Sequence, residues 1–428
     1  MTCGRRGRPR GLRVGSVGVR GAILISMPAL LFSEILGQPE GVGFLTGVAA
    51  SGRVANAYLL HGPAGVGKGS AMIAFARALL CERSGAMSPR AQASMFDAGP
   101  ADEPGVATGD ACGVCSACTK SSSLQHPDLK FLFPVSGEEK ELDTIVADLI
   151  ESWRQDPFFV FTYEKAASIR ISMTRELLRE MAYKPFEADR RVVMVRDADR
   201  MREDQFSAML KSLEEPGAAT VWVLTTSRPT KLPATIRSRC QRVRFRALAE
   251  PVIRDYLHQR VGVPESEARM LAALSSGSLG RALQIRDSKP MEARNEALAL
   301  FDTARRGDPY ALWAAAQGIS RFGKAGRETL RRLIDFQLLW QRDLLRARYD
   351  APREELVNRD LEARLRRDAQ TVDATEVRRR LMILEEALRS IEGNIAADAT
   401  IFSTQNRIAT PALSRTGWPR HPAARWEY

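Results

Sequence analysis

Short apolar runs alternate with longer helical patterns over the first 245 residues of the chain. Such runs, bounded by polar or charged positions, are typical of strands buried in a parallel sheet. The predicted strands are Ala57–His61, Lys130–Phe133, Arg191–Val195 and Thr220–Leu224. The helical patterns end near Leu80, span Met173–Tyr183 with Ser172 as the cap, and stop at Pro216. This alternation predicts an α/β domain with a doubly wound parallel sheet, which binds its ligands at the carboxyl ends of the strands.

The second half of the chain shows helical patterns only. Residues 246–290 form one predicted helical segment and residues 291–403 a second. In the second segment, steps of three and four residues place apolar side chains on one helix face, which indicates packing rather than a cofactor site. These side chains are Val377, Leu381, Leu384, Leu388 and Ile391. The Pro- and Arg-rich residues 404–428 are predicted to be a disordered tail.

The first 26 residues differ from the rest in charge. They contain six arginines and no acidic residue. We interpret residues 1–26 as a disordered basic leader ahead of a start at Met27, because the apolar part is too short for a targeting segment. Ordered structure is then expected to begin near Leu31. The two segments 83–111 and 137–167 are read as insertions without an assigned role, the second of them helical.

Composition narrows the class of protein. The chain has 428 residues and a formal net charge of +12, with a sequence pI of about 9.7. A basic balance favours anionic partners such as nucleic acid. No apolar run approaches the ~18–20 residues that a membrane span needs, so we expect a soluble protein without a membrane partner. Six cysteines are too few for a disulfide scaffold in a chain of this length and favour a reducing, cytoplasmic compartment.

A glycine-rich segment between the first strand and the next helix has the spacing of a nucleotide-binding P-loop. Its backbone N–H groups and the following helix N-terminus can surround phosphate oxygens, and Lys68 can reach the outer phosphates. Gly69 departs from the motif, because a Ser or Thr hydroxyl normally holds Mg²⁺ at that position. The candidate ATP-binding residues are Gly62, Pro63, Ala64, Gly65, Val66, Gly67, Lys68, Gly69 and Ser70.

Four of the six cysteines have metal-ligand spacing. Two residues separate Cys112 from Cys115, two separate Cys115 from Cys118, and Cys81 lies upstream. Four thiolates are the number that a closed, tetrahedral zinc site requires. The sequence therefore predicts a structural Zn²⁺ site, and small buried core cysteines are the alternative. His126, in a turn, is the less favoured ligand.

The carboxyl ends of two later strands correspond to the positions at which a P-loop ATPase binds Mg²⁺ and orients the attacking water. The third strand is followed by Arg196 and Asp197, whereas many such ATPases carry an Asp-Glu pair there. Asp197 and Asp199 either cap the next helix or bind residual metal, and Mg²⁺ binding is therefore doubtful. Thr226, at the tip of the fourth strand, is a candidate sensor of the γ-phosphate.

Taken in order, these motifs resemble the clamp-loader AAA+ subunits of bacterial DNA polymerase III over residues 28–400. The resemblance is carried by Phe32–Gln38, Asn56–Lys68, the four cysteines, His126–Leu129, Asp197–Asp199, Leu210–Pro216, Ser238–Cys240 and Gly280–Ala282. It implies an AAA+ P-loop base, a parallel sheet flanked by helices, over 27–245 with an inserted zinc module at about 81–128. It further implies a helical lid over 246–290 and an all-α collar over 291–403 that joins subunits in a ring.

The resemblance also assigns roles to two arginines. Arg239, in the Ser-Arg-Cys triplet, corresponds to an arginine finger that enters the ATP site of a neighbouring subunit. Arg281 corresponds to a lid arginine that contacts the γ-phosphate in the same subunit. The implied partners are the other loader subunits, gamma/tau and delta, in a pentameric ring, together with the sliding clamp and primed DNA.

The departures at Gly69 and Arg196 decide which function we predict. We expect a loader subunit with weak or absent ATP hydrolysis that lends Arg239 to its neighbour within the polymerase holoenzyme. One alternative is an active motor, either the ATPase subunit of the same loader or another AAA+ DNA-remodelling enzyme. The other is a zinc-containing scaffold that does not use nucleotide.

Overall fold

A computed structural model describes residues 31–83, 109–135, 142–155, 167–214, 219–320, 323–392 and 396–410. The predictions for the leader, most of the insertion 83–111 and the end of the tail lie outside these residues. The strands are β1 Ala57–His61, β2 Leu129–Leu132, β3 Arg191–Val195, β4 Thr220–Thr226 and β5 Gln241–Arg244.

The helices of the first half are α1 Pro39–Ser51, α2 Lys68–Leu80, α3 Ser116–Ser122, α4 Leu142–Gln155, α5 Ile171–Glu180, α6 Glu203–Glu214 and α7 Ala234–Arg239. Those of the second half are α8 Glu250–Gln259, α9 Glu265–Leu274, α10 Leu279–Arg286, α11 Pro290–Arg305, α12 Pro309–Ser320, α13 Gly323–Arg348, α14 Glu362–Thr371, α15 Ala374–Glu392 and α16 Ala397–Ala409. The helix expected within 137–167 is α4.

The five strands form one parallel sheet in the order β2-β3-β4-β1-β5. Strand β1 lies between β4 and β5, with His61 paired to Thr226 on one side and to Arg244 on the other. The carboxyl ends of all strands therefore meet at one edge, which is where the P-loop leaves β1. The predicted parallel α/β sheet is confirmed.

Helices cover both faces of this sheet. On one face Tyr58 and Leu60 of β1 pack in a core with α1 and α2. On the other face Leu59 and Trp222 pack in a core with α5, α6 and α7. Burial on both faces explains why the strands are nearly continuous apolar runs rather than alternating ones.

The helices after β5 form two further cores. Helices α8 to α10 pack around Leu257 and Leu271. Helices α11 to α16, with part of α9, pack around Trp340 and Leu384. Among the described residues, no helix is both long enough and apolar enough to cross a membrane.

The predicted start of α5 is wrong. Helix α5 begins at Ile171 with Arg170 as its N-cap residue, so Ser172 lies inside the helix and does not cap it. Just before this helix, Ser168 forms an antiparallel bridge with Val135.

The predicted boundary of the tail also needs correction. Helix α16 continues to Ala409, six residues into the span 404–428 that was assigned to a disordered tail. Thr404, Gln405 and Ile408 are buried in it. The Gln405 side chain exchanges hydrogen bonds with Gln337 of α13 at 2.7 and 3.3 Å, so burial of this polar residue is compensated.

Candidate functional site

The P-loop is a tight turn between β1 and α2 that depends on three glycines with positive φ. These are Gly62 (149°), Gly65 (69°) and Gly67 (98°). A Cβ atom at Gly62 would lie 2.0 Å from the carbonyl oxygen of Phe245, which explains the need for glycine there. Helix α2 begins at Lys68. The first N–H groups of a helix lack intrahelical partners, so this end of α2 can bind an anion.

The Lys68 side chain is buried inside the loop. Its Nζ donates to the carbonyl oxygens of Gly62, at 2.8 Å, and Pro63. Burial lowers the pKa of Lys68 to about 8, which Asp197 and Asp199 oppose and Arg196 reinforces. This pKa is close to neutral pH, so the ammonium can lose its proton just above neutrality. It lies at the N-terminus of α2.

Two other parts of the chain hold the loop. The Gln38 side chain donates to the carbonyl oxygens of Val66 (3.2 Å) and Arg246 (2.7 Å), and its oxygen accepts from the Arg246 N–H (3.0 Å). From the start of α10, the Gly280 N–H donates to the Gly65 carbonyl oxygen at 3.1 Å. Gln38, just before α1, and Gly280, in α10, therefore both contact the loop directly.

The tip of β4 is joined to the tip of β3 by hydrogen bonds. The buried hydroxyl of Thr226 donates to Asp199 Oδ1 at 2.7 Å, and Arg228 forms an ion pair with Asp199 at 2.6 Å. The Thr225 hydroxyl accepts from the Asp197 N–H at 3.1 Å. Asp197 makes no side-chain capping bond to the turn that follows. Of the two roles considered for these aspartates, helix capping receives no support from Asp197.

The Arg281 side chain lies between α10 and α13. Its Nη2 is 2.5 Å from Asp335 Oδ2. Burial raises the pKa of Asp335, and Arg281 opposes that shift. The Arg281 N–H is bound by the Ser278 hydroxyl at 3.1 Å, which caps α10 beside the P-loop. The backbone of Arg281 is thus near the candidate site, whereas its guanidinium contacts α13.

Arg239 lies far from the P-loop lysine in sequence and ends α7. Its Nη1 donates to the Thr235 carbonyl oxygen at 2.9 Å, and its Nη2 forms an ion pair with Glu214 at the end of α6. The side chain is 36% exposed. Arg239 is therefore held at the surface by α6 and α7 and can contact a second molecule.

The four predicted cysteine ligands come together in one cluster. All four Sγ atoms lie within 4.8 Å of one another. Two pairs, Cys81 with Cys115 and Cys112 with Cys118, are each 3.9 Å apart. Zn–S bonds of ~2.3 Å in a tetrahedron place sulfurs about 3.8 Å apart, so the sulfur positions fit a four-thiolate zinc ion.

Backbone donors surround the same sulfurs. Cys81 Sγ accepts from the N–H groups of Arg83 and Cys112, and Cys115 Sγ accepts from that of Cys118, all at 3.4 Å. A hydrogen bond with Cys118 lowers the pKa of Cys81 to about 5, and the same contact together with burial raises the pKa of Cys118. These donors would stabilise thiolates and orient them toward a metal.

One polar anchor of this region was missed from the sequence. Asp128 accepts hydrogen bonds from the N–H groups of Phe186, Glu187 and Ala188 at 2.6–2.8 Å. Burial raises the pKa of Asp128, but these three bonds outweigh that effect and lower it. His126 accepts from the Asp128 N–H at 3.1 Å and so occupies a turn, outside the cysteine cluster. The sequence His126-Pro127-Asp128 was the pattern from which this anchor could have been predicted.

Comparisons with known proteins find similar sequences among subunits of DNA polymerase III. A family model described as "DNA polymerase III, delta subunit" matches residues 102–249. The DNA polymerase III subunit tau of Salmonella typhimurium is 28% identical over 261 residues, which are 60% of this chain and 32% of that protein. The chain thus spans about a third of the length of this relative.

Two delta' subunits are also similar. That of Bacillus subtilis is 24% identical over 360 residues, which are 84% of this chain and 92% of the relative. That of Pseudomonas aeruginosa is 30% identical over 186 residues, 44% and 42% of the two chains. Among solved structures, the RuvB Holliday junction branch migration motor of Thermotoga maritima aligns with a TM-score of 0.35 and 13% identity, covering 61% of this chain and 63% of that one. By its sequence matches, the chain is similar to the delta' and tau subunits of DNA polymerase III.

Proposed function

We propose that this chain is a delta'-type subunit of a bacterial clamp loader, which helps to place a sliding clamp on primed DNA. Its partners in this proposal are the gamma/tau and delta subunits of a five-membered ring in the cytoplasm. The match to nearly the whole length of a delta' subunit supports this choice over tau. The observation that carries it is chemical: Gly69 and Arg196 replace the hydroxyl and the Asp-Glu pair that hydrolysis requires.

In this proposal the P-loop binds nucleotide and hydrolyses it poorly. Support comes from the glycine turn, the N-terminal N–H donors of α2 and the position of Lys68. ATP, when bound, supplies a polyphosphate anion for these groups. The residues that would hold it are those of the loop, with Thr226 and Arg281 from neighbouring elements. In the present structure Thr226 bonds Asp199 and Arg281 bonds Asp335, so both would exchange partners to reach a phosphate.

The cysteine cluster is proposed to hold one structural Zn²⁺. Its four sulfurs have tetrahedral spacing and leave no ligand position for water, which is the arrangement of a structural rather than a catalytic site. The zinc module then joins the end of α2, through Cys81, to α3, through Cys115 and Cys118. The ion would therefore fix the irregular chain around residues 109–115 against the base.

The test of the proposed function is reconstitution with the other loader subunits, a sliding clamp and primed DNA. We expect the complete mixture to load clamps, and loading to stop when this chain is omitted. Purified alone, the chain should show ATP turnover no higher than its Lys68→Ala variant, with or without primed DNA. Brisk magnesium-dependent hydrolysis by the isolated chain would favour the active motor, which the tau matches keep as the second candidate.

The pKa of Lys68 implies that the affinity of the chain for nucleotide depends on pH. Lys68, with Arg196, Asp197 and Asp199 around it, has a pKa of about 8 in the free chain, and a bound polyphosphate would raise it. Affinity for ADP should therefore be constant below pH 8 and fall above it, by up to about tenfold per pH unit. Equilibrium dialysis with labelled ADP between about pH 7 and 9.5 measures this.

The control for this dependence is Lys68→Met, which removes the titrating ammonium. We expect this variant to bind ADP weakly and with little change in affinity over the same pH range. Wild-type affinity that stays flat to the upper end of the range would contradict the assignment of Lys68 as the phosphate-binding cation.

A further inference from the structure

The two positions at which the chain departs from a P-loop ATPase are neighbours in space. A Cβ atom at Gly69 would lie 3.5 Å from Nη1 and 3.8 Å from Cζ of Arg196. The backbone of Arg196 is fixed, because its N–H donates to the Leu132 carbonyl oxygen at 2.8 Å and continues the β2–β3 ladder. The Arg196 side chain is only 14% exposed. Its guanidinium thus lies beside the second residue of α2, where a Ser or Thr hydroxyl would hold Mg²⁺.

The nearby carboxylates are already matched with arginines. Asp197 Oδ2 lies 3.9 Å from Arg196 Nε. Asp199, 2% exposed, is bound by Arg228 and by the Thr226 hydroxyl. A divalent cation at the tip of β3 would compete with a guanidinium at each of these carboxylates.

Guanidinium and Mg²⁺ share one task at a polyphosphate and differ in another. Arginine remains charged at all accessible pH values and can bind two phosphate oxygens with parallel N–H donors. It can therefore neutralise phosphate charge, as a metal ion does. It cannot bridge oxygens as a Lewis acid or position a metal-bound water. An arginine in the metal position thus allows binding and removes a requirement for hydrolysis.

We propose that the Arg196 guanidinium takes the place of Mg²⁺, so that this P-loop binds a nucleoside di- or triphosphate without a metal ion. Gly69 is the matching change, because it carries no hydroxyl for Mg²⁺ and the guanidinium lies at van der Waals distance from a Cβ atom at this position. This inference rests on the proposed nucleotide-binding role of the loop and adds to it the form of ligand that is recognised, which is the metal-free polyphosphate.

The experiment measures affinity rather than turnover. Binding of labelled ATP to the full chain is followed by equilibrium dialysis in excess Mg²⁺ and in EDTA. We expect the two dissociation constants to agree within about threefold. Arg196→Gln should weaken binding in EDTA by about ten- to a hundredfold, the effect of losing a hydrogen-bonded charge. Arg196→Lys should recover part of that loss. The control Arg202→Gln, an exposed arginine six residues on, should bind as wild type.

A double variant tests the reverse change, in which Mg²⁺ takes the place of the Arg196 guanidinium. Gly69→Thr combined with Arg196→Asp restores a hydroxyl and a carboxylate, and we expect its binding to become dependent on Mg²⁺ by about tenfold or more. Thermal melting of each variant confirms that it is folded. Three results would overturn the inference: a wild-type affinity that collapses in EDTA, an Arg196→Gln variant that binds as wild type in EDTA, or no ATP binding under either condition. In the last case the role as a loader subunit would still be judged independently by clamp loading.

Discussion

Arg239→Ala is expected to lower the ATP turnover of the reconstituted clamp loader by about 10³-fold at the site that Arg239 enters. The physical reason is loss of a positive charge that would stabilise the transferring phosphoryl group. Arg239 ends α7 and is exposed, so it can reach a neighbouring subunit. The measurement is steady-state turnover of the complete loader with clamp and primed DNA, compared for wild-type and variant subunits. Other ATPase sites in the ring set the turnover that remains, so single-turnover kinetics is the cleaner measurement.

Two matched variants separate this role from a structural one. Glu214→Gln removes the ion-pair partner of Arg239, and because exposed pairs contribute only about 0–1 kcal/mol, we expect stability and turnover to be retained. Arg242→Ala removes another exposed arginine, three residues on in β5, and should also leave turnover unchanged. Size-exclusion chromatography reports whether each loader assembles. Normal turnover with Arg239→Ala, or a loader that fails to assemble with it, would contradict the arginine-finger assignment.

The parts of the fold that could be predicted from sequence are those set by local pattern. The runs at Ala57–His61 and Arg191–Val195 are buried on both faces of the sheet, so they are apolar almost throughout and are easily recognised. The start of α2 follows from the P-loop itself. The end of α16 could not be predicted in this way, because Thr404 and Gln405 look like surface residues. Their burial depends on α13, which supplies a hydrogen-bonding partner for Gln405.

The candidate site likewise has features that follow from local sequence and features that depend on tertiary packing. The cysteine spacing carries three ligands within seven residues, and the cluster could be proposed from the sequence alone. The contact between Gly69 and Arg196 could not, since the two residues are brought together only when β1, β4 and β3 lie side by side. The same holds for Arg281, whose partner Asp335 belongs to a helix 54 residues further on. Sequence identified the unusual residues, and the sheet and the helix packing show how they are paired.

Cys118→Ser is expected to abolish stable zinc binding and to unfold the chain around residues 109–123 locally. Cys118 is fully buried and its sulfur lies 3.9 Å from that of Cys112, so no other side chain can take its place without moving α3. Structural zinc contributes apparent binding energies of about 10–16 kcal/mol in small zinc-finger peptides. Here α3 packs on α2, so the sheet and its helices are expected to remain folded, and we expect a loss of at least about 3 kcal/mol in unfolding free energy.

Metal analysis by mass spectrometry measures the first effect, with about one Zn²⁺ per wild-type chain and less than a tenth of that in the variant expected. Hydrogen exchange over 109–123 measures the second. Cys240→Ala is the control, because Cys240 is a buried thiol whose pKa burial raises to about 12, and it lies outside the cluster. This variant should lose some stability through its cavity and keep its zinc. A Cys118→Ser variant that retains zinc would show that Cys118 is not a required ligand. Wild-type protein without zinc would show that the four sulfurs pack as core cysteines. In that event the contact between α2 and α3 would depend on apolar packing, and chelators would leave the melting temperature of the wild type unchanged.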